Sequence, residues 1–451
     1  MPASTSSAAP SNARAGWAES VYERLAGDGD GRVCHAIPDQ ACHEAPGNFL
    51  RLLTANALST LGDSLASAKT TLPWLLAQLG APTGMAALLV PLRESGSMLP
   101  QILIGALVRR QTVRKQVWVA AAWVQALSLA GMGWVAWGAR ASMSGMAAGL
   151  CVIALLSVFS IARGACSIAY KDVLGKTIPK TRRGRLSGWI SAVAGGGAMA
   201  TGVGLGWLSG ELPSSVLAGV MLGAAACWAA AALAFARIIE WPGATEGGVD
   251  GFGQALARMA LLRDDAPFRR FVLARALALG SALAAPLYIG LARDALGDAV
   301  VWLGVFLAVE GLAGLVSAPV WGRWADRSSR QVFAVGSALA GGLSLVVAGA
   351  AWVGVDSAAA VWFYPLAFLG LGVAHSGVRL GRKTYLVDMA EGSRRTDYVA
   401  VSNTVIGALL LVIGALAAVA ASVSVIGTIV ALALAGLAGA VLSLRWQDPV
   451  H

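Results

Sequence analysis

Charge is what this sequence has least of. Only 13% of its 451 residues are Asp, Glu, Lys or Arg, against about 25% in an ordinary soluble domain. A water-soluble fold is excluded, because 57% of the chain is hydrophobic and runs long enough to cross a bilayer recur through it. Histidine is scarce as well, at four, and no H-E-x-x-H or comparable constellation occurs, so a membrane-embedded hydrolase is not expected and the chain reads as no enzyme. A Gly-rich phosphate loop is also missing, which argues against ATP as the energy source. No cofactor or metal is expected. The five Cys, at 34, 42, 151, 166 and 227, are odd in number, and three lie inside apolar segments, so no disulfide framework is implied. Residues 1–48 lack an apolar core behind a basic start and read as a polar cytoplasmic tail, mostly disordered, not a cleaved signal peptide.

What the chain does have is apolar length. Counting stretches that cover about 30 Å at 1.5 Å per residue gives twelve spans. They run roughly 50–74, 84–107, 117–138, 145–168, 188–209 and 214–236, then 271–292, 299–321, 332–353, 358–378, 398–420 and 423–444. The fold expected is all-α, a polytopic membrane protein of 12 transmembrane helices in two pseudo-symmetric six-helix bundles. These are 49–238 and 269–445, joined by a cytoplasmic linker, 239–268, with a short tail at 446–451.

Basic residues sit in every second loop: Arg109, Arg110, Arg114 and Lys115; Lys171 to Arg185; Arg237 to Arg270; Arg323 to Arg330; Arg382 to Arg395. Cytoplasmic loops keep Lys and Arg, so both termini are expected in the cytoplasm of a bacterial cell, with the chain in its inner (plasma) membrane. The net charge of +10 is accounted for by topology, and no nucleic-acid partner is implied. Lys69 falls near the outer end of span one, where a long stem snorkels.

The halves repeat. Leu61-Gly62-Asp63-Ser64-Leu65-Ala66 lies over Leu279-Gly280-Ser281-Ala282-Leu283-Ala284, Gly105 over Gly322, and Arg182-Arg183 over Arg394-Arg395. Such a repeat is the sequence mark of an alternating-access transporter. Gly322-Arg323-Trp324-Ala325-Asp326-Arg327-Ser328-Ser329-Arg330 resembles the G-x-x-x-D-R-x-x-R loop of the major facilitator superfamily. The stretch Gly105 to Lys115 keeps that frame with Arg109 in place of Asp, and Ile178 to Gly188 resembles the usual entry to the fifth helix. The resemblance implies two bundles around a central cavity lined by spans one, four, seven and ten. It names no substrate, and Gly188 to Gly206 has no Pro, so the family's drug-antiporter pattern is not matched.

Charges inside spans call for a partner, a wet cavity or a function, since each costs about 2.5 to 3.5 kcal/mol on insertion scales. Asp63 reads as a lone acid on a cavity helix; it either couples transport to protons or is held by helix-packing hydrogen bonds. Glu94 and Glu310 are further coupling candidates. Arg93 pairs with Asp63 or Glu310, its repeat equivalent, or binds an anionic substrate group. Arg163 and Arg379 are superposed by the repeat and taken as one or two turns from the cytoplasmic end; they snorkel, gate the cavity or bind substrate. His375 titrates near neutrality or is a satisfied polar residue. Trp74, Tyr288, Trp302, Trp362 and Tyr364 are mostly assigned to interfacial belts. In the tail, Cys34-His35 and Cys42-His43 repeat a Cys-His pair at no standard zinc spacing, next to a short amphipathic helix around Trp17 to Leu25.

A cytoplasmic gate is implied by the resemblance together with the repeat register. Asp326 faces Arg185, and Arg109 faces Asp397 with the charges exchanged between halves. The function expected is secondary active transport of a small molecule, driven by protons, by a monomer in the lipid bilayer. The alternatives are a receptor-like or structural protein of the same fold, or a facilitator or lipid transporter without proton coupling.

Overall fold

The computed structural model describes residues 19–25, 43–99, 104, 108, 110–207, 210, 213–242, 259–325, 327–389 and 394–446. Among them the regular structure is helical, with no β-strand. The first half carries α1 (Ala45–Leu65), α2 (Thr71–Gln78), α3 (Gly84–Met98), α4 (Lys115–Ser142), α5 (Gly145–Thr177), α6 (Lys180–Gly206) and α7 (Ser214–Ala236). The second carries α8 (Ala266–Leu277), α9 (Gly280–Leu296), α10 (Val300–Ala325), α11 (Ser329–Val353), α12 (Ser357–Asp388), α13 (Arg394–Val423) and α14 (Val425–Ser443).

Short polar residues start several of these helices by accepting an otherwise orphaned backbone N–H. Ser144 Oγ takes Ala147 N, Asp265 Oδ1 takes Phe268 N, Ser328 Oγ takes Gln331 N and Ser424 Oγ takes Gly427 N. In lipid such internal satisfaction is obligatory, which is why the long apolar runs resolve as helices.

Nine helical stretches among the described residues are long and apolar enough to cross a membrane, α8 and α9 together forming one. Three of the twelve expected spans fall short, each for a reason in the sequence. Span one is broken: the chain leaves the helix at Ala66 to Thr70, giving pieces of 21 and 8 residues. Span two holds only the 15 residues of α3, and much of the stretch after it lies outside the described residues. Span five, α6, has 27 residues but is rich in Gly and opens on Lys180, Arg182, Arg183 and Arg185.

The outer faces are apolar, with Leu127, Val203, Leu339 and Val419 exposed. Large apolar residues turned outward are what a lipid solvent permits. Trp134, Trp137, Trp207, Trp352 and Trp362 are exposed near helix ends away from the basic loops, forming an aromatic belt at one interface. Trp74, Tyr288 and Tyr364, assigned to such belts from their sequence positions, are instead buried between helices.

The repeat is visible in the packing. A Cβ on Gly62 would meet Trp228 and the Ala224 carbonyl of α7, and one on Gly280 would meet the Leu432 carbonyl of α14. Each matching Gly thus lets the first span of its half press against the last. Small residues also set two seams between the halves, as helix packing in membranes favours. In one, Gly202 and Gly195 of α6 lie against Gly304 and Gly311 of α10; in the other, Gly84 and Pro91 of α3 meet Ala418 and Gly414 of α13.

At the basic-loop end, the buried carboxylate of Glu240 accepts Arg114 N at 3.0 Å and Lys115 N at 2.6 Å and pairs with Lys176 Nζ at 2.8 Å. A carboxylate at a helix start is favoured by the macrodipole, and this one ties α4, α5 and the end of α7 together. Residues 19–25 are helical, as the sequence suggested for part of the tail, with Tyr22 edge-on to Phe49 at 5.2 Å and Trp189 Nε1 donating to Leu25 O at 3.1 Å.

Candidate functional site

Charge gathers at the break in span one. A helix that ends inside the protein leaves carbonyls without partners, and here Ala66 O accepts Arg93 Nη1 at 2.8 Å. The same guanidinium places Nη2 3.1 Å from Asp63 Oδ1 and sits over the Phe159 ring, 5.2 Å from its centroid. Arg163 of α5 forms an ion pair with the other Asp63 oxygen. Asp63 is therefore not the lone acid its sequence position implied, since two guanidiniums share it. Arg93 takes Asp63, one of its two expected partners, and does not pair with Glu310.

Glu310 reaches the same break from the second half. Its Oε1 accepts Ser67 Oγ at 3.0 Å, and its Oε2 accepts Thr70 Oγ1. Ser67 Oγ in turn accepts Lys69 N at 3.2 Å and lies 3.2 Å from Thr70 Oγ1. The two residues matched by the repeat, Arg93 and Glu310, thus secure one polar turn: Arg93 holds the carbonyl where α1 stops, and Glu310 holds the hydroxyls before α2 begins.

Beside the break lies a cavity of about 590 Å³, lined by both halves. Thr60, Ser64 and Lys69 face it from the first half, with Ser187 and Ser191 of α6; Ser281, Glu310, His375 and Arg379 face it from the second. Lys69 does not snorkel at an outer end: the chain leaves the helix four residues before it and the side chain lines this central space. His375 Nδ1 lies 3.1 Å from Ser281 Oγ, which also donates to Ala278 O at 3.0 Å, so the kink between α8 and α9 has its own polar stitch.

Arg163 and Arg379 are not near helix ends. Their helices continue to Thr177 and Asp388, fourteen and nine residues further, or about 21 and 14 Å. Both belong to the interior, Arg163 on Asp63 and Arg379 exposed to the cavity. Glu94 on α3 is half-buried and lies within electrostatic reach of Lys69, Arg93, Arg275 and Arg382. Arg275 of α8 is buried and donates to Ser402 Oγ at 2.6 Å and Asn403 Oδ1 at 3.0 Å on α13.

Of the expected gate quartet, Arg109, Asp326 and the side chain of Asp397 lie outside the described residues; Arg185 is exposed on α6. Cys34, His35 and Cys42 lie outside them too. Among the described residues no three His, Cys, Asp or Glu side chains gather to hold a metal, and Cys151, Cys166 and Cys227 are free thiols. Sequence reasoning missed Ser67, Lys69, Thr70, Ser281 and Arg275 as site residues. The signal available was the polar run Ser67 to Thr71 inside an otherwise apolar span.

Residues 52–415 match the model of the Major Facilitator Superfamily. The chain belongs to that superfamily. Its fold is similar to that of a POT family transporter in complex with a thioalcohol-conjugated peptide, at TM-score 0.68 and 12% identity, covering 92% of this chain and 98% of that one. A D-xylose-proton symporter matches at 0.67 and 13%, over 89% and 98%. A bacterial homologue of the iron transporter ferroportin in an inward-facing state matches at 0.61 and 16%, over 89% and 98%. No curated protein matches the sequence. With this superfamily's model across the chain and its apolar helices in place, the protein is an integral membrane transporter.

Proposed function

We propose that the protein is a secondary active transporter that moves a small molecule by alternating access, with Glu310 as the carboxylate coupled to protons. In this reading the two α1/α2 pieces, α3 and α6 also span the bilayer, making twelve spans in two bundles around the cavity. The observation that carries it is the contact of Glu310 with Ser67 and Thr70. It joins the second half of the chain to a helix break in the first, beside the cavity that both halves line.

A carboxylate accepting two hydroxyls at a domain interface is a bistable link. Ionised, it holds both donors, with Lys69 and Arg93 the cations within its reach. Protonated, it loses most of that hold, so a proton gained or lost changes how strongly the halves are joined. Away from the basic loops the halves are drawn together, with the Arg293 guanidinium of α9 lying 5.1 Å over the Trp74 ring of α2. In this reading the cavity communicates with the basic-loop side, the cytoplasm in this topology. Asp63, by contrast, is already engaged by two guanidiniums, Arg93 and Arg163.

Glu310→Gln keeps the side-chain shape and removes the titration. In vesicles it is expected to lower gradient-driven accumulation by about tenfold or more, the equivalent of about 1.4 kcal/mol, while substrate exchange continues at near the parental rate. Normal accumulation by the variant would remove Glu310 from the coupling.

A further inference from the structure

We propose that the cargo of the cavity is an oxyanion, a small molecule with a carboxylate or phosphate group, bound between Lys69 and Arg379. The inference rests on the transport reading above and adds the chemical class of what is carried.

One face of α12 carries His375, Arg379, Arg382 and Lys383. Spacings of four, three and one residue keep these side chains on one side of a helix. The stripe starts in the cavity and runs toward the basic-loop end. Cations outnumber the carboxylates around it: Glu94 lies within reach of Arg382 and Lys383, and Glu310 lines the cavity with His375 and Arg379. Arg379 lies within electrostatic reach of Arg163 on α5, across the halves, and of Lys69 at the break; Lys383 lies within reach of Lys171, also on α5. Arg163 and Lys171 are eight residues apart and so share a face of α5, turned toward the α12 stripe.

The nearby acids are already engaged. Asp63 is held by Arg93 and Arg163, and Glu310, which takes two neutral hydroxyls, is the counter-charge within reach of both Lys69 and Arg93. Glu94 alone stands among Lys69, Arg93, Arg275, Arg382 and Lys383. Among the described residues the Arg379 side chain makes no hydrogen bond or ion pair, although it is exposed to the cavity. A cleft lined by one sign of charge between low-dielectric walls concentrates ions of the other sign. A guanidinium fork matches two oxygens of a carboxylate or phosphate, and an ammonium opposite supplies a point charge. A cavity of about 590 Å³ is of the size that encloses a small organic ligand. Inside lipid, cations in excess of the acids that face them are costly, and a bound oxyanion supplies charge that Glu94 and Glu310 leave uncovered.

The test uses the purified full chain, with thermal midpoints followed by intrinsic fluorescence. Inorganic phosphate, succinate and a short-chain phosphatidylglycerol are the probes, each at ionic strength matched with choline chloride. Saturable stabilisation by phosphate or succinate supports the proposal with a soluble cargo; stabilisation by the short-chain lipid alone supports it with a lipid headgroup as the source. Arg379→Gln and Lys69→Gln are each expected to raise the half-saturating concentration by about tenfold or more, with unliganded midpoints close to the parent, while Arg237→Gln, exposed and outside the cavity lining, leaves it unchanged. The proposal is overturned if no probe exceeds choline chloride, or if both cavity variants respond as the parent does. If that happens while the two ends of the protein still open and close in turn, the oxyanion is wrong and the transport reading stands.

Discussion

Asp63→Asn is expected to destabilise the protein by about 3 to 5 kcal/mol, the usual consequence of removing one partner from a buried ionic group. Arg93 and Arg163 both rest on this carboxylate, and side-chain exposures of 10% for Arg93 and 16% for Asp63 leave little water to replace it. The loss strands a guanidinium that also caps the end of α1 through Ala66 O, so the break in span one loosens with it. Folding yield in detergent and thermal midpoint should both fall, and exchange and accumulation should be lost together. Pairing the change with Arg163→Gln removes the second stranded charge and should recover part of the stability. Two single losses that simply add would deny the shared ion pair.

Gly202→Val should be the other large effect. A Cβ at that position would stand 2.5 Å from both the Gly304 carbonyl oxygen and the Ala308 nitrogen. Both are backbone atoms of α10, which yield only if the helices part. Overpacking of this kind typically costs about 1 to 3 kcal/mol, and in a membrane it falls on a seam held by close backbone approach, without a hydrophobic driving force. Gly204→Val, two residues along α6 in open space, serves as the matched control and should differ little from the parent. A drop in thermal midpoint and transport confined to position 202 is the expected pattern; equal effects at the two sites would place the seam elsewhere.

Much of this arrangement was legible in the sequence because lipid leaves few options. Apolar runs placed the helix centres, and the repeat that lays Gly62 over Gly280 reappears in the structure as two equivalent packing contacts. The break in span one was hidden by the way hydropathy is read. A window across Ser67, Lys69 and Thr70 still averages as apolar, so the polar turn disappears into the span. Depth was misjudged for Arg163 and Arg379 because the helices were ended where the apolar runs end. The helix ladder continues wherever backbone groups can bond to each other, through a wet cavity as readily as through lipid. Partner choice was beyond pattern. Whether Arg93 meets Asp63 or Glu310 depends on the rotation of α3 against α1 and α10, which periodicity alone does not fix. The resemblance supplied the family, and Arg379, already a candidate for substrate binding, took its place on the cavity only when α12 could be followed past its apolar run.

Alternating access is the central claim, and distances between spin labels at the two ends of the molecule test it most directly. In a chain whose five cysteines are replaced by Ser or Ala, one pair is placed at Gly175 and Thr384, toward the basic-loop ends of α5 and α12. A second is placed at Thr83 and Asp294, which line a small recess on the opposite side. Lowering the pH in lipid nanodiscs should shift both distance distributions in opposite senses, the first shortening as the second lengthens, and Glu310→Gln should hold both in one state at either pH. Two distributions that stay fixed, or that widen and narrow together, would contradict alternating access.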